Sequence, residues 1–195
     1  MKKSIVQVGY ATFTFDEESG KYTYAPIKYF ESEKSGGREH KATPRGDLTE
    51  VYADGKVVIS VNENDGYDHT LQLLDLVDDI DKDWLGNSVA ADGSGVAEYS
   101  TGASFPKFAL VIVHTAANAA KKYLVDFYYD TQVTARPEKS GKTSEGKFEA
   151  SFLDLSLKSL PREHDDPAKR LVTYSYKTDT LPTSIIVPEE SGASA

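Results

Sequence analysis

The clearest pattern lies between residues 48 and 86, where two short apolar runs precede a longer amphipathic segment. The runs cover residues 50–53 and 56–59, and the pair Asp54-Gly55 separates them. Because Asp-Gly accepts the positive φ angles of a type I′ turn, this pattern predicts a β-hairpin. A polar stretch, residues 62–66, then leads into the amphipathic segment.

The amphipathic segment has a helical period. Its apolar residues fall at positions i, i+3, i+4, i+7 and i+11 of one stripe: Leu73, Leu76, Val77, Ile80 and Trp84. We therefore predict a helix over about residues 69–85. Asp68 is its expected N-cap, and Gly86 is its expected stop.

Most of the remaining chain has the alternation and the β-branched and aromatic content of strands. The predicted strands cover residues 4–15, 21–30, 108–113, 122–133, 153–158 and 171–177. The run 108–113 is continuously apolar, which predicts a strand buried on both faces. Many short strands with one flanking amphipathic helix predict a mainly β (α+β) fold, a β-sandwich or barrel, in a single domain over residues 1–180.

Two segments have little to bury. Residues 31–41 are charged and contain Ser35-Gly36-Gly37, so we expect residues 31–46 to form a long protruding loop. Residues 181–195 contain two prolines and a small polar end, and we expect a flexible C-terminal arm that becomes ordered on a partner.

Composition and charge narrow the function classes. The 195 residues include no cysteine, which excludes disulfides and thiolate metal sites. The net charge is −9, and residues 62–83 carry eight acidic side chains against one lysine. No segment supplies the basic face that tight DNA binding requires. Without a signal-like or membrane-spanning apolar run, we expect a soluble protein that does not use a membrane.

A search for catalytic, cofactor and metal motifs gives none. The four histidines (His40, His69, His114 and His164) form no HxH or HExxH pair, and we interpret them as surface or packing residues. A calcium loop aligned on Gly66 would begin at Val61 and end at Gln72, where carboxylates are needed. The acidic residues Asp78, Asp79, Asp81 and Asp83 fit a solvated helix face better than a cation site.

Several stretches, in order and spacing, resemble the major tail tube proteins of long, non-contractile-tailed phages of Gram-positive hosts. They are the opening strands 5–30, Thr43-Pro44-Arg45-Gly46-Asp47, Tyr52-Ala53-Asp54-Gly55, and the helix end Trp84-Leu85-Gly86. The similarity is strongest over residues 43–86 and continues in general character to Lys177.

The resemblance implies a β-sandwich subunit that forms stacked, hexameric rings around a channel for DNA, with no catalytic residues and no cofactor. It implies a virion-tail location after synthesis in the host cytoplasm, and contacts with copies of itself and with tape measure, distal tail and tail terminator proteins. The loop that reaches between rings would lie here at Glu33, Lys34, Ser35, Gly36, Gly37, Arg38 and Glu39. The turn, the apolar stripe and the helix stop described above assign structural roles to Asp54, Gly55, Leu73, Val77, Ile80, Trp84 and Gly86.

Two other classes remain open. One is a monomeric binding sandwich, such as a carbohydrate module or an adhesin domain, for which the twelve tyrosines argue. The other is a β-rich hydrolase whose carboxylates converge from separate loops.

Overall fold

The computed structural model describes residues 4–53, 56–62, 64–74, 78–99, 104–116, 120–138, 152–166 and 169–188. Strands in this part of the chain are β1 (Ile5–Asp16), β2 (Lys21–Tyr24), β3 (Lys28–Tyr29), β4 (Gly37–Arg45), β5 (Leu48–Ala53), β6 (Lys56–Asn62), β7 (Gly66–Leu73), β8 (Ser88–Val89), β9 (Val96–Ala97), β10 (Lys107–Thr115), β11 (Tyr123–Val133), β12 (Leu153–Leu160) and β13 (Thr173–Thr178). The helices are α1 (Ser32–Ser35) and α2 (Asp78–Asp83).

One antiparallel sheet contains most of these strands, so the predicted mainly β fold is confirmed. Its order is β2-β1-β10-β11-β12-β7-β4, with β3 paired to β1 and β13 paired to β11. The strands β5 and β6 form a separate two-stranded sheet, and so do β8 and β9. Residues 25–27, which include Pro26, separate β2 from β3, as expected of a residue that cannot donate to a strand ladder.

The large sheet branches and curls. The first half of β11 pairs with β13 from Tyr123 to Tyr128, whereas its last residues, Asp130 to Val133, pair with β12. At the far end of the sheet, β4 returns towards β1, and Gly37 of β4 lies directly against the side chain of Val8. The curl therefore gives the sheet an inner face and an outer face.

Each face has its own apolar core, and β10 contributes to both. On the inner face, Phe108, Leu110 and Ile112 pack with residues of β1, β7, β11, β12 and α2. On the outer face, Val111 and Val113 pack with β11 and with half-buried tyrosines. Every residue from 108 to 113 is fully buried, which confirms the strand predicted to be covered on both sides.

The predicted helix over residues 69–85 is wrong in its first part. Residues 66–73 form strand β7, which pairs with β12 on one side and β4 on the other, so Asp68 is a strand residue and not an N-cap. Among the described residues the helix is α2, and Gly86, whose φ of +67° fits the predicted stop, lies three residues after it. Ile80 and Trp84 are fully buried, as the stripe requires, whereas Leu73 is fully buried as a residue of strand β7. Leu76 and Val77 lie outside the described residues.

The predicted protruding loop over residues 31–46 is also wrong. After the single turn of α1, β4 pairs with β7 along its length. The side chains of His40 and Ala42 turn towards the sheet interior, whereas Glu39, Lys41 and Thr43 are exposed. A strand at the end of a sheet can carry this many charges because one of its faces meets water.

The predicted free C-terminal arm needs correction as well, because residues 181–188 lie on the outer face of the sheet. The Ile27 amide donates to the Thr183 carbonyl at 3.0 Å, and the Tyr29 hydroxyl donates to the Pro182 carbonyl at 2.8 Å. Ile185 packs into the outer core. Residues 189–195 lie outside the described part.

Candidate functional site

The hairpin β5–β6 leaves the large sheet between β4 and β7. The predicted strands are confirmed, with Leu48 opposite Asn62 and Ala53 opposite Lys56, whereas the turn residues Asp54 and Gly55 lie outside the described residues. Both strands pair only with each other among the described strands. At about 3.3 Å per residue the hairpin is roughly 20 Å long. A two-stranded hairpin by itself is marginally stable in water, so this element gains from a covering surface.

The base of the hairpin is held in one conformation. It joins β4 to β7 where Arg45 pairs with Gly66, and the Asp65 amide donates to the Arg45 carbonyl at 3.2 Å. Gly46 and Gly66 have φ angles of +116° and +107°, which residues other than glycine rarely adopt. A Cβ on Gly66 would also overlap the Ser159 carbonyl oxygen of β12. The exit of the hairpin from the sheet is thus set by backbone packing.

The residues predicted to contact neighbouring subunits lie mostly in or beside strand β4. Ser35 is buried, and the backbones of Gly36 and Gly37 pack closely against Ser32 and Val8. The exposed members of this set are Glu33, Arg38 and Glu39, whereas the side chain of Lys34 lies outside the description. The Arg38 guanidinium is 4.2 Å from the centroid of the Phe152 ring. These residues form a packed corner of the fold and not an extended arm.

The acidic helix has internal partners that the sequence did not reveal. Lys28 Nζ lies 3.0 Å from Asp83 and 3.5 Å from Asp79. The Asn87 amide nitrogen donates to Asp81 Oδ1 at 2.8 Å. Among the described residues, no three His, Cys, Asp or Glu side chains are grouped so that they could hold a metal ion. Several of these acidic side chains therefore have ion-pair or hydrogen-bond partners within the fold.

A row of hydrogen-bonded polar side chains, buried except for the half-buried His40, crosses four neighbouring strands on the inner face. His40 Nε2 lies 3.0 Å from His69 Nδ1, and His69 Nε2 lies 2.6 Å from Ser159 Oγ. Ser159 Oγ is 2.7 Å from Thr131 Oγ1, which donates to the Tyr128 carbonyl at 3.3 Å. The two imidazoles are stacked, with centroids 5.3 Å apart. The strands β4, β7, β12 and β11 are thus joined by side chains as well as by their backbones.

The proton positions along this row of hydrogen bonds follow from its last acceptor, the Tyr128 carbonyl. The Tyr128 carbonyl can only accept, so Thr131 donates to it and Ser159 donates to Thr131. Ser159 must then accept from His69 Nε2–H, which leaves His69 Nδ1 as the acceptor for His40 Nε2–H. His69 is therefore the neutral Nε2–H tautomer, and His40 carries a proton on Nε2.

Burial favours the neutral state of both imidazoles. The pKa of His40 falls from 6.5 to about 4, chiefly because of burial and secondarily because of His114, while Asp126 opposes the shift. Burial also lowers the pKa of His69 to about 3, with His40 as the second cause. A charge on either ring would have to be held in the sheet interior, which is costly without a paired anion.

The third histidine on this side of the sheet has its own partner. His114 Nε2 lies 3.3 Å from Asp126 Oδ2, and Ser175 donates to the other oxygen of Asp126 at 2.5 Å. His114 Nδ1 is buried and has no hydrogen-bond partner among the described residues. Three of the four histidines interpreted as separate packing residues therefore lie on one side of the sheet, and His164 stacks on Phe15 elsewhere.

The Ser159–His69 pair resembles a nucleophile and its base in distance but not in access. Ser159 is fully buried, and its proton is committed to Thr131. Productive acyl transfer needs the nucleophile to meet a substrate carbonyl. The arrangement is suited to holding strands together. The sequence signal that could have revealed this arrangement is a period of two. His69 shares one face of β7 with the buried Leu71 and Leu73, and Ser159 shares one face of β12 with the buried Leu157 and Leu155.

The tyrosines lie mainly on the outer face, where they pack on one another. Tyr174 stacks on Tyr176 with ring centroids 5.8 Å apart, and Tyr176 stacks on Phe127 at 5.6 Å. Their aromatic surface is thus largely used within the sheet.

No helix in the described part of the chain is long and apolar enough to span a membrane. No protein-family model matches the sequence, and comparisons with curated proteins and with solved structures give no match.

Proposed function

We propose that this chain is the subunit of a phage tail tube, which assembles with copies of itself into stacked rings around a DNA channel. The proposal starts from the resemblance over residues 43–86. One structural observation supports it above the others: neither strand of the hairpin β5–β6 pairs with a third strand among the described residues, and the hairpin leaves the large sheet at a base that contains two glycines with positive φ. Such an element is suited to docking on a neighbouring copy.

In this proposal the hairpin makes the contact between subunits that the resemblance had placed at residues 33–39. In sequence, its strands contain Val51, Val57, Ile59 and Val61, and we propose that these residues supply the apolar part of the docking contact. Burying a valine or isoleucine side chain between subunits would contribute about 1.5–3 kcal/mol. The net charge of −9 suits a channel through which DNA must pass without adhering.

Removing the hairpin is expected to abolish assembly and to leave the subunit folded. Because Arg45 and Gly66 are already paired, residues 46–65 can be replaced by a two-residue Asn-Gly turn. Circular dichroism and the thermal midpoint should change little, since the removed strands pair with no other described strand. Negative-stain microscopy and sedimentation of concentrated protein should show subunits without rings or tubes.

A matched control shortens a turn elsewhere. Residues 17–20 join β1 to β2 where Asp16 pairs with Lys21, and Asn-Gly can replace them as well. This variant should fold and assemble like the unmodified protein. Normal assembly without the hairpin would refute its proposed role. Equal loss of assembly in both variants would show that a shortened turn is enough to block it.

A further inference from the structure

We propose that the His40–His69 pair is a proton-sensitive switch that holds β4 on the sheet at neutral pH and releases it in acid. This inference concerns the single subunit and does not rest on the proposed function. It starts from the position of β4, which is the last strand of the sheet and has β7 as its one partner among the described strands. His40 gives β4 a side-chain bond into the interior.

Because the donor and acceptor of each hydrogen bond are fixed, the pair can take up one added proton without losing its bond but not two. A first proton can enter at His40 Nδ1 and leave the bond from His40 Nε2–H to His69 intact. A proton on His69 can enter only at Nδ1, since Nε2 already carries one. Two N–H groups would then face each other across 3.0 Å, and the bond would become a repulsion.

The surroundings offer little to neutralise that charge. The rings of Tyr67 and Tyr128 pack against the pair, and Ser159 is the hydrogen-bond partner at its inner end. The charged groups that act on His40 are His114 and Asp126, and these two are paired with each other. Separation of β4 from the sheet would give the imidazolium ions access to water.

The direction of the pH dependence follows from linkage. Both pKa values lie below the ordinary 6.5 in the folded chain, so the released state binds more protons between pH 6.5 and about 3. The stability of the state in which β4 is paired with β7 is therefore complete above pH 6.5 and falls as the pH is lowered towards 3. Each proton taken up on release raises the opening constant by about tenfold per pH unit.

Hydrogen exchange followed by mass spectrometry tests the switch on the full chain. Rates are divided by the intrinsic chemical rate at each pH, so that they report opening alone. Between pH 6.5 and 4.5, protection of the β4 amides should fall by about tenfold or more. Protection of β10, which lies between two strands in the middle of the sheet, should change by less than about twofold. Constant protection of β4, or equal loss in β4 and β10, would overturn the proposal.

Variants identify the responsible groups. In the double variant His40→Gln/His69→Gln both side chains stay neutral, so β4 should keep its protection at pH 4.5. His164→Gln is the control, because His164 stacks on Phe15 away from the pair, and it should behave like the unmodified chain. If the double variant does not fold, the exchange profile of the unmodified chain and of His40→Gln decides. An unchanged acid response in His40→Gln would contradict the switch.

Discussion

Replacing Trp84 with alanine is expected to lower the free energy of unfolding by about 3–5 kcal/mol. The indole is fully buried and stacks on Phe108 with centroids 4.2 Å apart, and it meets Tyr10 and Phe30 edge-on at 5.5 and 5.6 Å. Its removal leaves a cavity next to Tyr10 of β1, Phe108 of β10 and Phe30 that backbone movement cannot easily close. Chemical denaturation monitored by circular dichroism measures the loss.

Two further variants make this result specific. Trp84→Phe keeps an aromatic ring and removes an indole N–H that has no partner among the described residues, so its cost should stay below about 2 kcal/mol. Asp79→Ala breaks an ion pair on the exposed side of the same helix and should cost less than about 0.5 kcal/mol. Equal losses for Trp84→Ala and Asp79→Ala would show that α2 does not pack on the inner core through Trp84.

Gly66→Ala is expected to destabilise the fold by about 3–5 kcal/mol, although it adds a single methyl group. The residue has a φ of +107°, and the new Cβ would overlap the Ser159 carbonyl oxygen of the neighbouring strand. Either β7 and β12 must separate or the hairpin base must change direction. The thermal midpoint and the denaturant midpoint should both fall.

Gly20→Ala serves as a control that measures the backbone strain of a positive φ without a steric overlap of the new Cβ. Gly20 also has a positive φ, +65°, but no atom lies within 4 Å of an added Cβ. Its cost should be about 1–2 kcal/mol, that of the left-handed conformation alone. Similar losses for Gly66→Ala and Gly20→Ala would mean that the hairpin base tolerates a side chain.

The features predicted correctly from the sequence are those with a local cause. The hairpin β5–β6 follows from an Asp-Gly pair between apolar runs, and the buried strand β10 follows from a continuous apolar run of strand length. The stop at Gly86 likewise depends on the conformation of one residue. Each of these signals lies within about ten residues of sequence.

The features predicted wrongly depend on partners from elsewhere in the chain. Only Leu73 of the helical stripe lies within residues 66–73, and these residues form a strand because β4 and β12 supply backbone partners on both sides. In the same way, the charges of β4 are compatible with a strand once β7 pairs with it. Neither partnership can be deduced from the local pattern.

The hydrogen-bonded row of His40, His69 and Ser159 likewise could not be predicted from local sequence. His40 and His69 are 29 residues apart, and Ser159 is a further 90 residues along the chain. Their inward direction could be read from the alternation of β7 and β12. Their meeting depends on the strand order of the sheet, which the sequence analysis did not establish.

Negative-stain electron microscopy of the unmodified protein, concentrated at neutral pH, tests the central claim most directly. A tail tube subunit whose hairpin docks on neighbouring copies should form rings or hollow tubes of uniform diameter, with sedimentation showing the matching large species. Particles of single-subunit size at every concentration, with no larger species in sedimentation, would contradict the account.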